Sequence, residues 1–202
     1  MAFPSFFSEI PPLILRDPLA DLLGAADGGL IEYRYSDAVK LAGHSCPTVA
    51  GAYLLTHRLL GALYPDEMPE RGGLRVDFRE PLNEGVTGVT AGVIGMLTGA
   101  AGMGGFKGLG GNFARVDLLR FDSDLPGEVR FRRLDNGESR TASLHLGHIE
   151  TDQRMIPLLQ RLLSGKRDAV VAEVFAVLWQ DRVRRILIDH FEDPKVVVFS
   201  KH

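Results

Sequence analysis

Hydrophobic and polar positions in this chain follow two periods. A helical period of three to four marks residues 17–25, with Leu19, Leu22 and Leu23 on one side and Gly24 near the end. It returns over 36–41, where Ser36 is a fair cap and Gly43 a break, and over 47–63, where Val49, Ala50, Tyr53, Leu54, Leu60 and Leu63 form a wide apolar face. A period of two marks 30–35 and 74–79, the latter with Leu74, Val76 and Phe78 turned inward. Residues 112–121 read as another strand, and 128–134 with 140–146 as a hairpin around Asp135-Asn136-Gly137. The last third is helical over 155–163 and over a long stretch from 168 to about 189, with a terminal strand at 195–200. Together these predict one α+β domain spanning 1–202, an antiparallel or mixed sheet packed with helices, including a long C-terminal helix.

The glycines change this picture in two places. Gly88, Gly92, Gly95 and Gly99 are spaced four, three and four, so they share one helix face. Each glycine costs a helix roughly 1 kcal/mol against alanine, so a close partner is expected to compensate. Beyond Gly99 the chain becomes a loop containing Gly104, Gly105, Lys107 and Gly108. Such a loop can wrap an anion or prosthetic group with backbone N–H groups, Gly104, Gly105 and Lys107 being the candidate cofactor contacts. It can equally be a set of turns that need positive φ. Neither common phosphate fingerprint fits, because Lys107 stands where the dinucleotide motif needs glycine, and Phe106 and Gly108 flank the lysine where a P-loop needs other residues.

Composition narrows the classes. The 202 residues are 45% hydrophobic and 24% charged with a formal net charge of -3, which argues for a soluble globular protein and against a nucleic-acid partner. Residues 86–106 carry no charge and are long enough to span a bilayer, but Gly, Ala and Thr dominate them, so no membrane span is expected. No basic region precedes the apolar N-terminus, so no signal peptide is expected; with a single cysteine, a reducing, cytoplasmic location is expected as well. Symmetric dimers are common enough to make a homodimer the expected assembly.

That cysteine carries the candidate chemistry. Cys46 precedes Pro47 at the predicted start of the 47–63 helix, where unsatisfied N–H groups favour a thiolate, and His44 lies two residues back. A thiolate beside an imidazole is a pair of metal ligands or a nucleophile with its base. Among the other histidines, His57 is about 16 Å along the helix from Cys46 at 1.5 Å per residue, His190 ends a long helix, and His202 is terminal. His145 and His148 remain as distant partners, with one of the two expected as a ligand.

Gly43-His44-Ser45-Cys46-Pro47 resembles the Gly-His-x-Cys-Pro signature of the FmdE-like family, whose members are similar to one of the subunits of formylmethanofuran dehydrogenase. Leu97-Thr98-Gly99 before the glycine loop, and the helical segment around Phe175, Trp179 and Arg182, are similar to further elements of that family, so the likeness extends over about residues 36–190. The resemblance implies an α+β domain that binds a transition metal, often zinc, through His44 and Cys46. This chain departs from the family in having Val89 and Ala100 where further cysteines often stand, and in lacking a C-terminal four-cysteine zinc ribbon.

Three functions follow. The first is a metal-binding protein, zinc foremost, linked to redox or one-carbon metabolism, with His44 and Cys46 as ligands and His145 or His148 completing the shell. The second is a haem or other cofactor-binding redox module using the glycine loop and a small-molecule pocket near Met96, Leu97, Met103 and Phe106. The third is a metal-free enzyme with Cys46 as nucleophile.

Overall fold

A computed structural model describes residues 3–165 and 168–201. Strand β1 (Leu13–Arg16) pairs antiparallel with β2 (Leu30–Tyr33), and the short helix α1 (Pro18–Leu22) lies between them in sequence. Helices α2 (Tyr35–Ala42), α3 (Pro47–Leu63) and α4 (Thr87–Thr98) alternate with strand β3 (Leu74–Phe78), which follows α3. Strands β4 (Leu119–Arg120), β5 (Val129–Arg133), β6 (Ser139–Leu144) and β7 (Val197–Phe199) complete a second sheet in the order β4-β3-β5-β6-β7. Among the described strand pairs of this sheet, β3–β4 alone is parallel. Helices α5 (Met155–Leu163) and α6 (Ala169–Arg184) precede β7, and α6 runs on into a π-helical turn over Arg185–Asp189. The expected α+β architecture with a mixed sheet and a long C-terminal helix is therefore present.

The molecule is built around α3. Pro47 occupies its first turn, Cys46 is its N-cap in extended conformation (φ -147°, ψ 168°), and it ends at Tyr64, before Pro65. Its apolar residues surround the axis rather than forming one stripe, because α3 has the sheet on one side and α2 and α4 on others. Gly51 permits the closest approach: a Cβ there would collide with the Leu144 side chain on β6. Near the start of the chain Phe6 and Phe7 are buried, and an aromatic chain runs from Phe7 through Tyr35 to Tyr53, with ring centroids 4.8 and 5.7 Å apart.

One expectation holds only in part and another fails. Among the described residues the glycine face of α4 is closely approached by a distant segment only at Gly99, where a Cβ would come 3.2 Å from Arg71 Cγ and from the Gly72 backbone N. Gly88 and Gly92 are exposed, Gly92 faces open space, and the backbone near Gly88 and Gly95 belongs to the flanking chain at Leu82 and Ala100. The helix instead buries the opposite side, Ala91, Ile94 and Leu97. The strand expected over 112–121 shrinks to Leu119–Arg120, because Phe113 (φ 62°) and Asp117 (φ 59°) are left-handed and break the extended run. That segment folds back on the glycine loop, Arg115 N–H donating to Phe106 O at 2.7 Å and Leu118 N–H to Ala101 O at 2.9 Å. The uncharged stretch at 86–106 becomes α4 and the start of this loop, and no helix among the described residues is long and apolar enough to cross a membrane.

Candidate functional site

The His44-Ser45-Cys46 turn joins α2 to α3. Gly43 ends α2 in the left-handed conformation (φ 77°), its N–H donating to Val39 O at 2.8 Å, and this reverses the chain within a few residues. His44 is exposed, with Nδ1 2.9 Å from Ala42 O. A carbonyl can only accept, so Nδ1 carries a proton; in the neutral ring Nε2 then holds a free lone pair. Cys46 is buried, and its Sγ accepts the Val49 N–H at 3.5 Å.

Ser45, between these two, is held from three sides. Its carbonyl accepts Trp179 Nε1–H at 2.8 Å and Gln180 Nε2–H at 3.3 Å, both from α6. Its hydroxyl donates to Gln180 Oε1 at 3.0 Å. The hydroxyl has one proton, so the 2.9 Å contact with Tyr35 is a bond donated by the phenol. Burial, with the nearby Cys46 adding to it, drives the Tyr35 pKa upward against the Ser45 hydrogen bond, so that proton is retained. Residue type and spacing do not single out Ser45, Tyr35 or Gln180. The one available signal was Trp179, the only tryptophan in the sequence.

The other candidates lie elsewhere. His145 is exposed; its N–H donates to Val196 O at 2.8 Å, and strand alternation sets it opposite Leu144 and Leu146. His148 is exposed beside His190, ring centroids 6.4 Å apart, and His190 Nδ1 contacts Asp193 Oδ2 at 2.9 Å. The neighbour of His148 is thus His190, a residue whose place at a helix end had pointed away from the site. His57 packs edge-on against Phe191 with centroids 4.8 Å apart, and burial lowers its pKa. Among the described residues no group of three or more His, Cys, Asp and Glu side chains is placed to hold a metal ion. Gly104, Gly105 and Lys107 sit on the folded-back loop. A Cβ at Gly105 would come 2.5 Å from Arg115 O, Lys107 is exposed, and Met103 and Phe106 point largely to solvent.

No protein-family model matches the chain, and no curated protein or solved structure matches it either.

Two clefts lie at opposite ends of the helices. The first, about 390 Å³, opens at the starts of α3 and α4. Thr48 of α3 and Thr87 and Thr90 of α4 line it, so the first turns of both helices meet there. Its floor is Leu55, Phe78 and Val129, and its rim carries Arg79, Glu80, Glu84 and Glu128. The second, about 490 Å³, lies where α3 and α4 end. Here arginines meet helix carbonyls: Arg71 Nη2 donates to Met96 O at 2.9 Å and Arg133 Nη1 to Leu63 O at 3.3 Å. Arg71 and Arg115 both bond the buried Asp17 carboxylate. Burial raises the Asp17 pKa, but the Arg115 and Arg71 bonds and the Ala20 N–H outweigh it and hold the group below the usual carboxylate range. The three arginines of this second cleft, Arg71, Arg115 and Arg133, are thus engaged within the fold.

Proposed function

We propose that this chain is a metal-binding protein whose own donors are His44 Nε2 and Cys46 Sγ, with a zinc-type divalent ion as the first choice. The reading rests chiefly on the 2.9 Å bond from His44 Nδ1 to a backbone carbonyl. Metal-binding histidines are habitually oriented by such a bond on the ring nitrogen opposite the metal. The Val49 N–H on Cys46 Sγ and the clamp on Ser45 support it by fixing the turn. Two donors are half of a tetrahedral shell, so the remaining positions fall to solvent, a small molecule or another chain. Open positions of that kind allow a bound divalent ion to act as a Lewis acid. A cleft lined by Thr48, two residues beyond Cys46 in sequence, offers space for a small molecule. Burial of the Cys46 thiol favours a ligand over a nucleophile, since reactive cysteines are partly exposed.

The test is cobalt(II) titration of protein purified without chelator. One equivalent should bind with a thiolate-to-cobalt absorption band. Cys46→Ser should abolish the band, and His44→Ala should weaken binding by 10-fold or more. A wild type that binds no cobalt or zinc, or a band unchanged in Cys46→Ser, overturns the reading.

A further inference from the structure

The α5–α6 hairpin is apolar where no described residue covers it. On α5, Ile156, Leu159 and Leu163 are 66, 37 and 77% exposed; on α6, Val170, Val174 and Val177 are 70, 37 and 64% exposed. The spacings are three and four on α5 and four and three on α6, which is one stripe per helix. Met155 at the start of α5 and Val171 near the start of α6 are buried, and α5 packs principally on α6. Helices of 9 and 16 residues are marginal on such contacts alone.

The stripes face opposite ways. The covered positions are Met155, Leu158 and Leu162 on α5 and Val171, Phe175 and Leu178 on α6. The exposed stripe is one residue after the covered one on α5 and one residue before it on α6. In an antiparallel pair those offsets, each about 100° of helix rotation, place the stripes on opposite sides of the hairpin. A partner with a single flat face could bury only one of them.

We infer that the hairpin is an arm gripped by a second copy of this chain in a two-fold dimer. One stripe meets its own counterpart across the axis, and the other rests on the partner's body. The area fits. At full areas of about 150 Å² for Val and about 180 Å² for Leu and Ile, the six residues expose roughly 500–600 Å² per copy, against the about 450–520 Å² of apolar surface in a standard 800 Å² half-interface. Trp179 and Gln180, which clamp Ser45, lie on the same helix, so the dimer also braces the motif turn. This inference is independent of metal binding.

The test is sedimentation-equilibrium ultracentrifugation of the full chain and of Leu163→Glu and Val177→Glu, with circular dichroism to confirm folding. Wild type should have twice the 22.1 kDa chain mass at micromolar concentration, and each variant should weaken association by 100-fold or more. Ile156→Glu and Val170→Glu replace any variant that fails to fold. A monomeric wild type, a dimer indifferent to both stripes, or a dimer sensitive to only one of them overturns the proposal.

Discussion

Replacing Ser45 with alanine tests whether the motif turn is held by a complete polar network. The hydroxyl accepts from Tyr35 and donates to Gln180 Oε1, and both partners are in a region with little water: Tyr35 is 1% exposed. Deleting the oxygen leaves a phenol donor and an amide acceptor without their bond. Each stranded group costs about 1–3 kcal/mol when buried. Gln180 keeps its Nε2 bond to the Ser45 carbonyl and is half-buried, so its share belongs at the low end. The expected loss is about 2–4 kcal/mol, a large part of the roughly 5–15 kcal/mol that holds a typical domain together. Tyr35→Phe removes the donor instead. Ser45 Oγ then keeps its bond to Gln180, and the expected cost is about 1 kcal/mol.

Urea denaturation followed by circular dichroism gives both numbers, and the double variant closes the cycle. Because the two residues touch, the effects should be non-additive by at least about 0.5 kcal/mol. A Ser45→Ala cost near zero, or additivity within error, would refute the picture of a clamped turn. The metal-binding reading would then lose the preorganisation that supports it.

Other outcomes follow from the same contacts. Asp17→Asn strips charge from a carboxylate bonded by Arg71 and Arg115, whose Nε atoms are already buried without partners among the described residues; it should cost about 3–5 kcal/mol in denaturant melts. Because the folded-state pKa of Asp17 lies below the ordinary 3.8, its contribution is present above that value and lost as pH falls below it, so acid unfolding should be shallower in Asp17→Asn. His57 has a folded pKa below 6.5 because burial disfavours the imidazolium; melting temperature should fall as pH drops below 6.5, and less so in His57→Gln. Gly51→Ala should cost about 1–3 kcal/mol by chemical denaturation, since the new methyl displaces Leu144 or separates α3 from β6.

How far the sequence revealed this molecule depended on the range of the determining interaction. Helix α3 was legible to its ends because Cys46, Pro47 and Pro65 set its boundaries locally. Strand β3 was legible because Leu74, Val76 and Phe78 alternate toward one core. The strand expected over 112–121 was not, because its apolar spacing is strand-like while its backbone is set by the glycine loop it folds against. The α4 glycines were legible only in part: helical spacing gave the face, but a distant segment approaches it closely only at Gly99, since spacing carries no information about what lies opposite. At the turn, Cys46 and His44 could be named from residue type. The roles of Ser45, Tyr35 and Gln180 depend on contacts 10 and 135 residues apart in sequence, which no local pattern encodes.

The two clefts show how one arrangement of helices yields ends of different character. The first turns of α3 and α4 meet at one end, and their last turns at the other. The last turns present carbonyl groups, and the chain answers with arginines: Arg71 on Met96 O, Arg133 on Leu63 O. The first turns present N–H groups, and the answer there is sparse. Cys46 Sγ takes the Val49 N–H at 3.5 Å, and α4 begins at Val86 with no side-chain cap among the described residues. The end that is tied down by charge is a structural staple. The other end, with weakly answered donors, three threonines and Thr48 only two residues beyond Cys46 in sequence, is where the proposed metal-binding reading puts its contact with something outside the chain.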